Sequence, residues 1–204
     1  AAVPAATAAG ANTVWIKAGV YTRTTNFTNY MTFTNTGAGH VANPHVICGY
    51  DSTHGDATAP TVIIDENNGG AQALLFNKSY ITLKYITFTG RRGSTPTSGA
   101  GVVVDGANGT MFRCRITTTY YEGMYSEDGN AVMNLVGCEF DDIGHSAGAD
   151  AGSIFCSGQT HIDGCYLHGC HGDFVIVVVY HDMQINNSII GNCDGTAISV
   201  NTTA

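Results

Sequence analysis

The segment Met133-Asn-Leu-Val-Gly-Cys-Glu-Phe140 decides the fold, because four other segments of the chain align with it without an internal gap. They are Ile81-Thr-Leu-Lys-Tyr-Ile-Thr-Phe88, Gly109-Thr-Met-Phe-Arg-Cys-Arg-Ile116, Thr160-His-Ile-Asp-Gly-Cys-Tyr-Leu167 and Met183-Gln-Ile-Asn-Asn-Ser-Ile-Ile190. Their first residues follow one another at intervals of 23 to 28 residues. A repeat of this period is the sequence signature of a stacked architecture.

Apolar residues recur at fixed positions of this eight-residue unit. The third position holds Leu83, Met111, Leu135, Ile162 and Ile185. The sixth holds Ile86, Cys114, Cys138, Cys165 and Ser188, and the eighth holds Phe88, Ile116, Phe140, Leu167 and Ile190. Alternation between the sixth and eighth positions is typical of a strand with one buried face. The pairs at the fourth and fifth positions, such as Asp163-Gly164, indicate a bend, and more strands are predicted at 102–104, 154–156, 175–177 and 197–200.

Several short strands in a repeat of about 23–28 residues predict an all-β chain, a right-handed parallel β-helix. In such a solenoid each coil pairs in parallel with the next. A leucine-rich repeat would need a Leu/Asn consensus, and a sandwich would show antiparallel hairpin signals. The sequence shows neither, so we expect residues 1–204 to form one β-helix domain.

The first part of the chain carries a resemblance to a known family. The segment Ala11-Asn-Thr-Val-Trp-Ile-Lys-Ala-Gly-Val-Tyr-Thr22 resembles the opening coil of the pectate-lyase-like β-helix superfamily, and Val46-Ile-Cys-Gly-Tyr50 and Thr61-Val-Ile-Ile-Asp65 resemble its next coils. The resemblance implies the parallel β-helix fold. Lyases, hydrolases, adhesins and viral spikes all use this fold, so the resemblance does not choose among these functions.

The ends and one insertion depart from the regular repeat. Residues 1–12 predict a short N-terminal cap or lead-in, and residues 91–100 predict an inserted loop. No cap is evident after the strand predicted at 197–200, and an uncovered end exposes sheet edges. We therefore expect a fragment of a longer protein or a component of an assembly.

The seven cysteines fit the repeat. Cys114, Cys138 and Cys165 share the sixth position, and Cys170 and Cys193 both lie three residues beyond the eighth. Free cysteine is among the most buried residue types, so packing inside the solenoid is the favoured interpretation. A disulfide or a metal role is the alternative.

Composition excludes some partners. The net charge is −8, whereas nucleic-acid binding needs a basic surface, so no nucleic-acid partner is expected. The longest apolar run, residues 174–180, is too short for membrane insertion. We expect protein partners, either copies of this chain or components of a virion or cell surface, and an extracellular, cell-surface or virion location. A polysaccharide is the other candidate partner.

Polar residues cluster after the eighth position of three successive units. In the expected register Asp141 lies beside His168, and His171 lies beside Asp194. With Asp142, these residues are candidates for acid–base catalysis of glycan cleavage, while His145 and Asp173 are candidate ligands for a divalent cation, Ca²⁺ or Zn²⁺. The alternative interpretation is that Asp, Asn, His and Gly occupy tight turns, with no cofactor.

Two further stretches are candidates for binding. Arg91 and Arg92, in the inserted loop, would contact an acidic sugar or a partner subunit. Tyr120, Tyr121 and Tyr125 would stack on sugar rings. A solvated loop and ordinary aromatic packing are the alternatives.

Two functions follow from these observations. The first is a non-catalytic structural or recognition β-helix, exposed on a virion or cell surface and able to bind glycans. It is favoured because no complete catalytic motif is present. The second is an enzyme, a polysaccharide lyase or glycoside hydrolase that acts on an acidic polysaccharide.

Overall fold

A computed structural model describes residues 13–22, 45–67, 75–76, 80–90, 99–104, 108–126, 129–145, 152–179 and 181–201. The elements in these ranges are all β-strands. In chain order they are β1 Thr13–Lys17, β2 Gly19–Thr22, β3 His45–Tyr50, β4 Val62–Asp65, β5 Leu75–Phe76, β6 Ile81–Lys84, β7 Ile86–Thr89, β8 Val102–Val104, β9 Asn108–Phe112, β10 Arg115–Thr119, β11 Met124–Ser126, β12 Val132–Val136, β13 Glu139–Ile143, β14 Ile154–Cys156, β15 Gln159–Asp163, β16 Tyr166–Cys170, β17 Phe174–Val179, β18 Met183–Asn186, β19 Ile189–Gly191 and β20 Thr196–Asn201.

The strands form three sheets, and all of the described pairings between strands are parallel. The first sheet has the order β1-β3-β6-β9-β12-β15-β18, and the second has β2-β4-β7-β10-β13-β16-β19. The third has β5-β8-β11-β14-β17-β20. From β3 onward the chain adds one strand to each sheet in turn and then returns to the first. The predicted all-β class and the parallel pairing of successive repeats are confirmed.

The register agrees with the columns of the eight-residue unit. In the first sheet Leu83 pairs with Met111, Met111 with Leu135, Leu135 with Ile162, and Ile162 with Ile185. In the second sheet the same order joins Phe88, Ile116, Phe140, Leu167 and Ile190. Most of these side chains are buried, and together they form one continuous hydrophobic core. The predicted strands at 102–104, 154–156, 175–177 and 197–200 all belong to the third sheet.

The bend between the first two sheets has a specific backbone cause. The fifth position of the unit has positive φ in all five repeats, at Tyr85, Arg113, Gly137, Gly164 and Asn187. Left-handed backbone is easy for Gly and tolerated by Asn. The chain therefore turns at this position in every repeat, as the sequence predicts.

The cysteines lie in the core or beside it. All seven are free, and all except the half-buried Cys193 are buried. Burial raises the pKa of Cys114 and that of Cys170 to about 12. Neutral thiols are poor nucleophiles and poor metal ligands, so these two cysteines act as small core side chains.

Two predicted regions lie mostly or wholly outside the described residues. The cap predicted at 1–12 lies wholly outside them. Of the inserted loop predicted at 91–100, the structure describes only the last two residues. The described residues contain no helix of the length and hydropathy needed to cross a membrane.

Candidate functional site

The site is built on a second column of left-handed residues, two positions after the eighth position of the unit. Gly90, Thr118, Asp142, Gly169 and Asn192 have φ values of 78°, 54°, 58°, 60° and 52°. This backbone breaks the inside–outside alternation of the second sheet. In β13, Asp141 and Asp142 both lie on the half-exposed side, whereas Phe140 and Ile143 remain buried. Two adjacent acidic side chains therefore both point away from the core.

The first cluster, called here the Arg115 network, lies on the outer face of three neighbouring strands. It consists of Arg115 of β10, Glu139 and Asp141 of β13, and His168 of β16. The Arg115 guanidinium forms ion pairs with Asp141 at 2.5 Å and with Glu139 at 3.4 Å. His168 contacts the same two carboxylates, with Nε2 3.0 Å from Glu139 Oε1 and Nδ1 3.3 Å from Asp141 Oδ1. Each carboxylate of this network therefore has two cationic or hydrogen-bonding partners.

An aromatic ring stacks on the histidine of this network. Tyr166 stacks on His168 with ring centroids 4.0 Å apart and an interplanar angle of 21°. Tyr166 is 40% exposed, and its strand neighbour Ile189 is 64% exposed. The outer face of the second sheet thus combines paired charges with an accessible apolar surface.

The second cluster, called here the Asp142 cluster, lies where β13 and β16 end. It consists of Asp142, His145, His171 and Asp194. Asp142 Oδ1 lies 2.8 Å from His145 Nε2 and 3.4 Å from His171 Nε2. His171 Nδ1 lies 3.1 Å from Asp194 Oδ2, and the rings of His145 and His171 are 4.5 Å apart.

The environment of Asp142 favours its charged form. Partial burial raises the pKa of this carboxyl group, but other contributions outweigh it. They are the charge of His145 and hydrogen bonds from His145, Thr118 and His171. The pKa of Asp142 therefore lies below its ordinary value, and the carboxylate is held ready for a cation or a hydrogen-bond donor.

The structure brings together most, though not all, of the predicted site residues. Asp141 pairs with His168 and His171 contacts Asp194, so both predicted neighbours are confirmed. The five candidate catalytic residues divide between the two clusters, and His145 joins the second. Asp173 is exposed and is not one of its donors; its backbone carbonyl accepts a hydrogen bond from Thr196 N–H.

The predicted binding residues do not form a cluster comparable to these two. Tyr125 is only 7% exposed and stacks on Phe155 at 5.2 Å, so its ring packs and offers little area to a ligand. Tyr120 and Tyr121 are half-buried and meet edge to face at 6.0 Å. Arg91 and Arg92 lie outside the described residues.

Arg115 and Glu139 were not among the residues predicted for the site, although both belong to the Arg115 network. The signal was the spacing of Glu139 and Asp141, because residues two apart in a strand face the same side. Thr118 was also missed. Its contact with Asp142 depends on left-handed backbone at both residues, which a threonine does not suggest.

Comparison with known proteins gives no relative. The chain matches no family model, and neither a curated protein nor a solved structure is detectably similar to it. The function is therefore inferred from the geometry of the two clusters.

The left-handed column leads to a stability prediction at Thr118. A β-branched residue with positive φ is strained, and strain of this kind costs about 1–3 kcal/mol. Thr118→Asn should therefore raise the free energy of unfolding by about 1 kcal/mol, measured by guanidinium denaturation followed by circular dichroism.

The control is Thr117→Asn, one residue earlier, where φ is not positive. This change should be neutral or slightly destabilising, because Asn is a poorer strand residue than Thr. Equal changes in the free energy of unfolding at both positions would show that the backbone at Thr118 is not strained.

Proposed function

We propose that this chain is a right-handed parallel β-helix of the pectate-lyase-like type that serves as a non-catalytic structural or recognition element on a virion or cell surface. The strand order supports the solenoid, since each return of the chain adds one parallel strand to each of three sheets. Parallel crossover connections are right-handed in about 98% of cases, which supports the hand.

One observation carries the non-catalytic part of the proposal: the space between Glu139 and Asp141 is filled. A glycosidase places its two carboxyl groups on opposite sides of the bond that it cleaves. Here the imidazole of His168 contacts both carboxylates, and the guanidinium of Arg115 pairs with both as well. A sugar would have to displace these two groups before its glycosidic bond could lie between the carboxylates.

The same network suits a recognition surface. Exposed ion pairs contribute little to stability, typically about 0–1 kcal/mol each, but charge patterns fix the orientation of a partner. Tyr166 and Ile189 add accessible apolar area beside the charges. Aromatic and aliphatic side chains rimmed by polar groups are typical of contacts between proteins, and we favour another chain of an assembly as the partner.

A polysaccharide-cleavage assay separates this function from an enzyme. The purified chain is incubated with polygalacturonate, alginate and hyaluronan, and new reducing ends and the absorbance of unsaturated uronates are measured. We expect no cleavage. Cleavage by the wild type that is lost in Glu139→Gln and Asp141→Asn but kept in Asp163→Asn would establish a hydrolase or lyase instead. Asp163 is a suitable control because it is exposed and lies in the first sheet.

The location is tested separately. An antibody raised against the folded chain should label intact virions or unpermeabilised cells of the source. Labelling only after lysis would contradict the surface assignment.

A further inference from the structure

We propose that Asp142, His145 and His171 form a binding site for one divalent transition-metal ion of the zinc class. The inference goes beyond the structural role proposed above and does not depend on it. One ligand atom from each of the three residues lies within 4.8 Å of the other two. Among the described residues, only one other group of this kind exists, formed by Glu139, Asp141 and His168.

The spacing of the donor atoms suits a small tetrahedral ion. Bonds of about 2.0–2.1 Å place neighbouring ligands of a tetrahedral zinc ion roughly 3.3 Å apart. Asp142 Oδ1 is 3.4 Å from His171 Nε2 and 2.8 Å from His145 Nε2. A modest rotation of the His145 ring therefore makes room for the ion, with a fourth position left for water or a partner's donor group.

The donor types select the metal. Two imidazole nitrogens and one carboxylate oxygen are typical ligands of zinc and neighbouring first-row ions. Calcium prefers six to eight oxygen ligands, which this cluster does not supply. Of the two ions expected from the sequence, the geometry points to Zn²⁺.

Asp194 gives the cluster a second feature of a metal centre. Metal-binding histidines commonly donate their other ring N–H to a carboxylate, which fixes the tautomer and the ring orientation. Asp194 Oδ2 lies 3.1 Å from His171 Nδ1, on the opposite side of the ring from Asp142. When an ion lies between His171 and Asp142, the Nδ1 proton of His171 is directed at Asp194 and the Nε2 lone pair binds the ion.

The backbone holds these ligands in place before any ion arrives. Ile143 pairs with Cys170 in the second sheet, and His171 N–H donates a hydrogen bond to Ile143 O at 2.8 Å. Asp194 N–H likewise donates to Cys170 O at 2.9 Å. Ligands held by a rigid sheet lose little freedom on binding, which favours affinity.

Charge explains why this cluster, and not its neighbour, takes the ion. In the Arg115 network the guanidinium already lies 2.5 Å from Asp141 and 3.4 Å from Glu139. The ion-pair partners described for Asp142 are imidazoles, which are neutral when they bind metal. The carboxylate of Asp142 is then free to bind a cation, and the net charge of −8 adds a favourable field.

The test is calorimetric titration of the full 204-residue chain with Zn²⁺ after treatment with a chelator, supported by the visible absorption spectrum of the Co²⁺ form. We expect one equivalent of Zn²⁺ to bind, and a Co²⁺ spectrum without a thiolate charge-transfer band. His145→Ala and His171→Ala should each weaken binding by about 100-fold or more, and Asp194→Asn by about 10-fold. The matched control is His161→Ala, a half-buried histidine of the first sheet, which should leave the affinity unchanged.

Three outcomes would overturn the proposal. The first is the absence of binding by a chain with the wild-type circular dichroism spectrum. The second is binding that survives both His145→Ala and His171→Ala but is lost in His168→Ala, which would place the ion in the Arg115 network. The third is a thiolate band with Co²⁺, which would assign the metal to cysteines. Circular dichroism of each variant separates loss of the site from loss of the fold.

Discussion

Phe140→Ala is expected to lower the free energy of unfolding by about 3–5 kcal/mol. Phe140 is fully buried in an interior strand of the second sheet, where it pairs with Ile116 on one side and Leu167 on the other. Its ring also packs against Gly123, which immediately precedes β11 of the third sheet and where an added Cβ would lie 2.6 Å from Cδ1. Removal of the ring leaves a cavity that neighbouring strands cannot close, because the parallel ladder fixes their spacing at about 4.8 Å.

The measurement is guanidinium denaturation followed by far-ultraviolet circular dichroism, with Phe112→Ala as the matched control. Phe112 is half-buried and contacts Tyr85 edge to face, with Lys84 and Arg113 near its ring. Its truncation should cost about 1 kcal/mol or less. If Phe140→Ala lowered the free energy of unfolding less than Phe112→Ala, the side chains at the eighth position of the unit would not face the core.

The apolar third and eighth positions of the eight-residue unit explain how much of the fold can be predicted from the sequence alone. A repeat in which the third and eighth positions are always apolar is compatible with few folds, because each of these side chains must pack against a buried neighbour. Parallel stacking places every member beside its equivalent, as with Leu135 between Met111 and Ile162. The two observed adjacencies in the site, Asp141 with His168 and His171 with Asp194, follow from that register alone.

The third sheet was harder to predict. The strand Met124–Ser126 lacks the β-branched residues that mark its neighbour Val102–Val104. All three of its residues are buried, so it also lacks the alternation that reveals a strand with one exposed face. Its position depends on pairing with β8 and β14, which is information that no local pattern contains.

The division of the site into two clusters was also beyond the sequence. Strict alternation would send Asp141 outward and Asp142 inward, toward the core. The left-handed conformation of Asp142 turns its side chain outward instead, beside His145 and His171. Aspartate adopts this conformation more readily than most residues, but the sequence also has Thr118 in the same column, which conceals the pattern. The turn interpretation and a functional interpretation of Asp142 are therefore compatible, since the turn creates the cluster.

Gly152→Ala should have a comparably large effect, because it tests the contact between repeats in the third sheet. Gly152 lies just before β14, and β14 pairs with β17. A Cβ at this position would overlap the carbonyl oxygen of Phe174 and lie 2.7 Å from that of Val175. Since both obstacles are backbone atoms of β17, no side-chain rotation can relieve them. We expect a loss of about 3 kcal/mol or more in the free energy of unfolding, at the upper end of the range for overpacking.

Gly191→Ala is the matched control, because it adds the same methyl group to a glycine in β19 where no atom lies within 4 Å. Neither glycine has positive φ, so the two substitutions differ in the space available and not in backbone strain. The control should change the free energy of unfolding by no more than about 0.5 kcal/mol, measured by the same guanidinium denaturation. Equal stabilities for the two variants would mean that β17 does not approach Gly152 as described. The close stacking of repeats, on which the solenoid proposal and both clusters depend, would then fail at this point.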